Sequence, residues 1–115
     1  MHDEASESVL SVLERGRARG YGADLEVVST GEGTGVRCGA CGTVVEPRRL
    51  VVHDHVRLEG ASDPADLQLV VFARCPECGA QGALVLGYGP NASEADSRVE
   101  LELRLPRAAG RVAGT

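Results

Sequence analysis

Two short cysteine motifs constrain this chain more than any other feature. Cys38 and Cys41 are separated by two residues, as are Cys75 and Cys78, and 33 residues (42–74) lie between the two pairs. Two intervening residues let one tight turn present both sulfurs to a single ion, and the glycine after each pair suits the positive φ that such a turn requires. The two pairs together supply the four thiolates of a tetrahedral metal site. The sequence therefore predicts a metal centre with these four cysteines as its ligands.

The metal that this ligand set favours is zinc. The motifs resemble the knuckle pair of zinc ribbons, and residues 75–79, "CPECG", are the more typical half. Rubredoxin-like sites hold Fe²⁺ in similar knuckles, but they are rich in aromatic residues, and this chain has no Trp and one Phe. Catalytic zinc keeps one coordination position open, whereas four cysteines close the shell. We therefore expect one structural Zn²⁺, with Fe²⁺ as the alternative and no catalytic residue at the site.

Composition bears on location and partners. The formal net charge is −5, all twelve basic residues are Arg, and Lys and Ile are absent, a bias that points to a GC-rich, bacterial coding sequence. The acidic N-terminus lacks the basic and apolar regions of a signal peptide, and no apolar run is long enough to span a membrane. We expect a cytoplasmic protein with no membrane partner. Thiols stay reduced there, which favours metal ligation over disulfides.

The pattern of apolar residues predicts an α+β fold. Residues 9–19 have helical spacing, and alternating or continuous apolar runs at 23–29, 36–38, 50–58, 67–75 and 83–89 indicate strands. We expect an N-terminal helix and an antiparallel sheet of four to five strands, with the second cysteine pair at the tip of a hairpin. We expect one domain over residues 1–105. Residues 106–115, in which Pro, Gly and Ala follow no pattern, are predicted to form a flexible tail.

The segment 93–105 fits two structures. Ser93 with Asp96 three residues later resembles a capping box and predicts a helix. Val99, Leu101 and Leu103 alternate with polar residues, which is typical of a strand. We expect a C-terminal helix.

Four further polar residues are candidates for chemistry. His53 and His55 lie two residues apart on a predicted strand, share one face and could share a metal ion or a proton. Two polar residues on a solvated sheet face explain them more simply. Asp63 and Asp66 flank a Pro-Ala pair in a loop, where Asp most often caps a turn. A small enzyme using these residues remains an alternative function.

Arginines surround the cysteine pairs. Arg37 and Arg74 precede them, and Arg48 and Arg49 follow the first. They could form a basic surface for nucleic acid, or they could offset the charge of the four thiolates, which is the interpretation we favour. The net charge of −5 and the scarcity of stacking aromatics argue against nucleic acid as the partner.

Several phrases outside the motifs resemble a family of small, uncharacterised bacterial proteins. The matching segments are "HVRLEGASDPADLQLVVFA" at 55–73, "GYGPNAS" at 87–93, and Gly20-Tyr21 with Asp24 after the first helix. The chain departs from the pattern of this family at three positions: Gly22 is inserted, Leu58 replaces an aromatic residue, and Ala65 replaces an acidic residue.

The resemblance implies a compact α+β unit and supplies no catalytic residue. Its most distinctive motif, "RfEG.SDPdD", is matched here by Glu59, Gly60, Asp63 and Pro64. Some relatives carry the label phosphoribosylpyrophosphate synthetase, but that activity needs paired acids in a longer phosphate-binding loop and a much longer chain. We therefore do not carry this activity over to the present chain.

These observations together favour a small zinc-binding module that acts by binding a protein, in interaction or regulation, without catalysis. A nucleic-acid-associated zinc ribbon is the first alternative, and a small enzyme is the second. The sequence does not indicate an oligomeric state.

Overall fold

The computed structural model describes residues 8–31, 33–58, 67–89 and 92–103, together with the backbone of residues 110–113. Two helices, seven strands and one turn of 3-10 helix (Pro47–Arg49) lie within these residues. The elements are α1 (Val9–Ala18), β1 (Ala23–Thr30), β2 (Gly33–Cys38), β3 (Val44–Val45), β4 (Val51–Leu58), β5 (Gln68–Arg74), β6 (Gln81–Gly87), α2 (Glu94–Glu102) and β7 (Gly110–Ala113).

The strands form one sheet in the order β3-β2-β1-β6-β5-β4-β7. The predicted α+β class and both terminal helices are confirmed. The described part of the sheet is larger than expected and is mixed, because β1 pairs with β6 and β4 with β7 in parallel. Strand β1 of the β1–β2 hairpin pairs with β6 of the β4–β5–β6 meander, and these two strands run in the same direction. Sequence periodicity cannot reveal such a pairing, since it depends on how two separate units dock.

Strand β7 lies inside the segment for which the sequence predicts a flexible tail. Its four residues, Gly110–Ala113, run parallel to β4 from His55 to Leu58. The segment has no strong strand pattern of its own, so this pairing depends on the open edge that β4 offers.

The sheet separates two hydrophobic cores, one under each helix. Alternate residues of β5 divide between them: Val71 and Ala73 face α2, whereas Val70 and Phe72 face α1. The α2-side core comprises Leu25, Val36, Cys38, Val45, Leu50, Leu69, Val71, Ala73, Cys75, Leu84, Leu86, Val99 and Leu103. The α1-side core comprises Val12, Tyr21, Val56, Leu58, Val70 and Phe72. The larger core contains two of the four cysteines, so the candidate metal centre is continuous with the hydrophobic interior.

Helix α1 packs unusually close to the sheet. The Ser8 side chain accepts a hydrogen bond from the Ser11 N–H (3.0 Å) and caps its first turn. Gly16 lies directly over the ring of Phe72, so that a Cβ atom at this position would approach the Phe72 Cζ atom to 2.9 Å. The helix ends at Ala18, and Gly20, just beyond the C-cap residue Arg19, has a left-handed φ of 101°.

Helix α2 begins where the capping pattern predicts. The Ser93 side chain accepts a hydrogen bond from the Asp96 N–H (3.0 Å), and the Asp96 carboxylate accepts one from the Gly87 N–H at the end of β6 (2.9 Å). Val99 and Leu103 are buried in the α2-side core. The helical interpretation of residues 93–105 is therefore confirmed as far as Glu102, because local capping and one buried side prevail over the alternating pattern.

Removing this cap tests the helix assignment. Replacing Ser93 by alanine should lower the free energy of unfolding by about 1 kcal/mol, because the Asp96 N–H loses its partner. Ser97→Ala is the matched control: Ser97 lies inside the helix, and alanine has the higher helix propensity, so its effect should be neutral or slightly stabilising. Urea unfolding of both variants measures the difference. Equal effects of the two substitutions would contradict the capping role of Ser93.

Candidate metal centre

Each cysteine pair forms a turn closed by two backbone hydrogen bonds. In the first turn, the Cys38 N–H donates to the Thr43 carbonyl (2.9 Å) and the Gly42 N–H to the Cys38 carbonyl (2.7 Å). Gly42 has a φ of 78°, the left-handed region that only glycine enters without strain. The local sequence therefore determines the shape of this turn, which we call the first knuckle (residues 38–43).

The second knuckle (residues 75–80) repeats the same pattern. The Cys75 N–H donates to the Ala80 carbonyl (2.9 Å), and the Gly79 N–H donates to the Cys75 carbonyl (2.9 Å). Gly79 has a φ of 81°. The Glu77 N–H also donates to the Cys75 sulfur at 3.4 Å, a contact that stabilises negative charge on the thiolate. The two knuckles are thus equivalent halves of one site.

Strand β1 brings the two knuckles together across the long sequence separation. On one side, Leu25 pairs with Cys38 at the end of β2; on the other, Ala23 pairs with Gly82 at the start of β6. The Gly39 N–H donates to the Asp24 carbonyl at 2.7 Å, which attaches the first knuckle to β1 between these positions. The parallel β1–β6 pairing therefore places the first knuckle beside the tip of the β5–β6 hairpin.

The four sulfur atoms converge on one point. The Cys38 and Cys78 sulfurs are 3.8 Å apart, the Cys41 and Cys75 sulfurs are 3.9 Å apart, and all four lie within 4.8 Å of one another. A tetrahedral ion with metal–sulfur bonds of about 2.3 Å requires sulfur–sulfur separations of about 3.8 Å. The structure thus brings together the four cysteines that the sequence predicts as ligands, with a spacing that suits one metal ion.

The site has a buried half and an exposed half. Cys38 and Cys75, the first cysteines of the two knuckles, are 1% and 0% exposed and belong to the α2-side core. Cys41 and Cys78, the second cysteines, are exposed. An ion held here would be anchored from the interior and would have two of its sulfur ligands facing solvent.

The two exposed thiols have opposite pKa shifts. The pKa of Cys41 is lowered to about 6, chiefly because the side chain of Thr43 hydrogen-bonds to the sulfur. A backbone hydrogen bond from Ala80 lowers the pKa of Cys78, but desolvation and the neighbouring thiols outweigh it and raise that pKa to about 11. Thr43 is a contributor that the sequence analysis missed. Its position two residues after Cys41 in a knuckle is the signal that could have identified it.

Metal affinity should therefore rise with pH across the neutral range. A thiol must lose its proton to bind, and at neutral pH Cys78 is protonated whereas Cys41 is largely deprotonated. Each proton that the metal displaces makes the apparent metal affinity rise about tenfold per pH unit, so acidification weakens binding. Competition with a chromogenic chelator from about pH 6 to about pH 8 measures the slope. Thr43→Val is the control: it removes the hydroxyl that lowers the pKa of Cys41 and should make the slope steeper. A slope of zero would contradict thiolate ligation.

Three of the four arginines around the knuckles are paired with acids. Arg37 contacts Glu26 at 2.9 Å, and Arg48 contacts Glu46 at 3.3 Å. A third ion pair, Arg49 with Glu77 at 2.9 Å, joins the 3-10 turn to the second knuckle. Glu46 is two residues from Arg48, whereas Glu26 and Glu77 are distant in sequence from Arg37 and Arg49, so only the structure assigns those two pairings.

Arg74 differs from the other three arginines, since no acidic partner for it lies within the described residues. Because its neighbours are paired with carboxylates, they form little net basic surface, and the interpretation that arginines offset the charge of the four thiolates stays a prediction.

A β-bulge in β4 separates the two histidines. Val52 pairs with Ala73 and Asp54 with Phe72, so His53 is an extra residue on this strand. His55 pairs with Val71 and therefore lies on the α2 side of the sheet.

His53 lies on the α1 side, where its Nδ1 atom and the Tyr21 hydroxyl are 2.8 Å apart. The prediction that the two histidines share one solvated face is wrong: the bulge shifts the alternation by one residue, and His55 is 7% exposed. The bulge also divides the strand's apolar residues between the cores: Val52 packs against the α2-side core, and Val56 belongs to the α1-side core. The sequence has no glycine or proline here that would reveal it. A site shared by the two histidines is thus not supported.

The remaining candidate residues cannot be placed. Asp63, Asp66 and the rest of segment 59–66, which contains the most distinctive motif of the resemblance, lie outside the described residues.

A surface cleft of about 840 Å³ lies between the β1–β2 turn, β3 and α2. Its lining contains neither cysteine nor histidine, and its charged side chains are of both signs: Glu46, Arg48, Arg98 and Glu102. It does not include the candidate metal centre.

Comparisons with known proteins identify no relative. No family model matches the chain, and neither a curated protein nor a solved structure matches it. Among the described residues, no helix has the length and hydrophobicity needed to cross a membrane.

Proposed function

We propose that this protein binds one Zn²⁺ ion through Cys38, Cys41, Cys75 and Cys78, and that the ion is a structural link in a small module that binds another protein. The observation that carries the proposal is the convergence of four sulfurs from two equivalent knuckles, with separations of 3.8 and 3.9 Å in the two cross-knuckle pairs. Four thiolates leave no position for substrate, which argues for a structural ion.

The choice of zinc follows from the ligand set. Thiolate ligands in tetrahedral geometry suit Zn²⁺, which has no geometric preference of its own and no redox chemistry. Iron in the same cage would give strong visible absorption once it is oxidised to Fe³⁺, so a protein that stays colourless in air and contains one equivalent of zinc distinguishes the two metals.

The structural role follows from what the ion would connect. The first knuckle ends β2, and the second joins β5 to β6, so one ion would tie the hairpin and the meander at the edge where β1 and β6 begin to pair. The cores consist mainly of Val, Leu and Ala, and Phe72 and Tyr21 are the aromatic residues in them. Small apolar side chains bury little area each, so an additional link contributes a large share of the stability.

A protein is favoured over nucleic acid as the partner. The basic surface that nucleic acid requires is reduced by the ion pairs of Arg37, Arg48 and Arg49, and the net charge is −5. Chromatography on immobilised DNA tests this choice. We expect no retention at moderate ionic strength, and retention that weakens steeply with salt would favour the nucleic-acid alternative.

Metal content and thiol accessibility test the proposal directly. Mass-spectrometric metal analysis should find one zinc per chain. A thiol reagent should find four reactive cysteines only after denaturation in the presence of a chelator. Four freely reactive thiols in the native protein, or a folded protein that has four reduced thiols and no metal, would refute it.

A further inference from the structure

We propose that the metal centre is a peroxide-sensitive link, in which oxidation by a hydroperoxide releases the metal and joins the two knuckles through the disulfides Cys41–Cys75 and Cys38–Cys78. This proposal rests on the proposed four-cysteine zinc site and adds a modification chemistry to it. Its consequence is that the connection between the knuckles persists when the metal leaves, with a covalent bond in place of the ion.

The exposure of the sulfurs determines where oxidation begins. Cys41 and Cys78 are exposed, whereas Cys38 and Cys75 are buried. Susceptibility of a cysteine to peroxide follows its thiolate character and its accessibility, and metal ligation keeps all four sulfurs as thiolates. The two outer sulfurs are therefore the points of attack, and a fully buried four-thiolate site would offer none.

The separations across the site place two cross-knuckle bonds within short reach of the exposed sulfurs. Each exposed sulfur has a buried sulfur of the other knuckle close by: Cys41 is 3.9 Å from Cys75, and Cys78 is 3.8 Å from Cys38. A disulfide of about 2.05 Å requires the two sulfurs of such a pair to approach one another by about 1.8 Å.

The chemistry balances with one hydroperoxide per disulfide. The Cys41 thiolate attacks the peroxide O–O bond and forms a sulfenic acid, and hydroxide is the leaving group when the oxidant is hydrogen peroxide. The Cys75 thiolate then attacks the sulfenic sulfur, forms the S–S bond and releases a second hydroxide. The two sulfurs together lose two electrons, which the peroxide accepts. Two of the four ligands are thereby consumed and the ion leaves, after which Cys78 and Cys38 react in the same way.

The pairing across the knuckles has a consequence that pairing within them lacks. Disulfides within the knuckles, Cys38–Cys41 and Cys75–Cys78, would close two small turns and leave β2 unconnected to the β5–β6 hairpin. The cross-knuckle bonds connect the same two places as the ion. The oxidised, metal-free protein should therefore keep its fold, whereas the reduced, metal-free protein should lose it.

Peptide mapping of the full-length, zinc-loaded protein tests the proposal. Trypsin cleaves after arginine and separates the first pair (residues 38–48) from the second pair (residues 75–98). After treatment with hydrogen peroxide and alkylation of free thiols, we expect these two peptides to be joined by disulfides. Zinc release, followed with a chromogenic chelator, should accompany the first disulfide. Reduction with dithiothreitol in the presence of zinc should restore the metal.

Two further measurements make the test specific. Brief alkylation of the zinc-loaded protein should label Cys41 and Cys78 before Cys38 and Cys75. Circular dichroism should find the native signal in the peroxide-treated protein and lose it in protein stripped of metal by a chelator under reducing conditions.

Separate peptides with internal disulfides, or sulfinic and sulfonic acids without disulfides, would overturn this inference and leave the zinc site intact. Absence of metal from the untreated protein would overturn the proposed function itself.

Discussion

Replacing Cys75 with alanine should abolish stoichiometric metal binding and lower the free energy of unfolding by several kcal/mol. The Cys75 sulfur is fully buried in the α2-side core, lies 3.9 Å from the Cys41 sulfur and accepts the Glu77 N–H. Without it, three ligands remain, and the link between the β1–β2 hairpin and the β5–β6 hairpin is lost. Because the stability of a marginal domain is about 5–15 kcal/mol, this loss should leave much of the protein unfolded at physiological temperature.

The dependence of stability on zinc separates this effect from ordinary damage to the core. The free energy of unfolding of the natural sequence should rise by about 1.4 kcal/mol for each tenfold increase in free zinc above the dissociation constant, and its melting temperature should rise with it. Neither quantity should depend on zinc in Cys75→Ala. Ala40→Ser is the matched control, because it changes an exposed residue of the first knuckle and leaves every sulfur in place. A Cys75→Ala variant that retains zinc and melts like the natural sequence would contradict the structural role.

Replacing Gly16 with alanine should destabilise the protein by up to about 2 kcal/mol, although alanine is the better helix former. A Cβ atom there would overlap the Phe72 ring, coming within 2.9 Å of Cζ, and Phe72 is 2% exposed and cannot move aside. The overlap costs about 1–3 kcal/mol and outweighs a gain in helix propensity of about 1 kcal/mol. Thermal or urea unfolding measures the net effect.

Two further variants isolate the contact with Phe72. Ala18→Gly, at an exposed position of the same helix, measures the propensity difference alone and should destabilise by up to about 1 kcal/mol. Combining Gly16→Ala with Phe72→Leu should cost less than the sum of the single substitutions, because the smaller side chain makes room for the methyl group. Strict additivity of the two effects would show that the close approach of α1 to Phe72 is not the cause.

The features that were predictable from sequence are those that neighbouring residues determine. The knuckle turns follow from a cysteine spacing of two and a following glycine, and the start of α2 follows from Ser93 and Asp96. The core positions of β5 follow from an apolar run that is buried on both faces. In each case the physical cause acts over a few residues, so the sequence pattern contains it.

The features that were not predictable depend on pairings between distant segments. The parallel pairing of β1 with β6 joins the predicted strands into one sheet. The addition of β7 to β4 extends this sheet beyond the predicted strands. The bulge at His53 has no local signal and reverses the side on which every later residue of β4 lies. A one-residue shift moves a whole strand segment to the opposite face, so a site that depends on shared faces cannot be inferred from alternation alone.

The sequence by itself determined which side chains could bind a metal, because the ligand type and the spacing within each pair are local properties. Only the tertiary structure decided that the two pairs meet, since β1 must pair with β2 on one side and with β6 on the other to bring residue 38 beside residue 75. It also decided that each knuckle has one buried and one exposed sulfur, because burial depends on how the knuckles pack against the α2-side core.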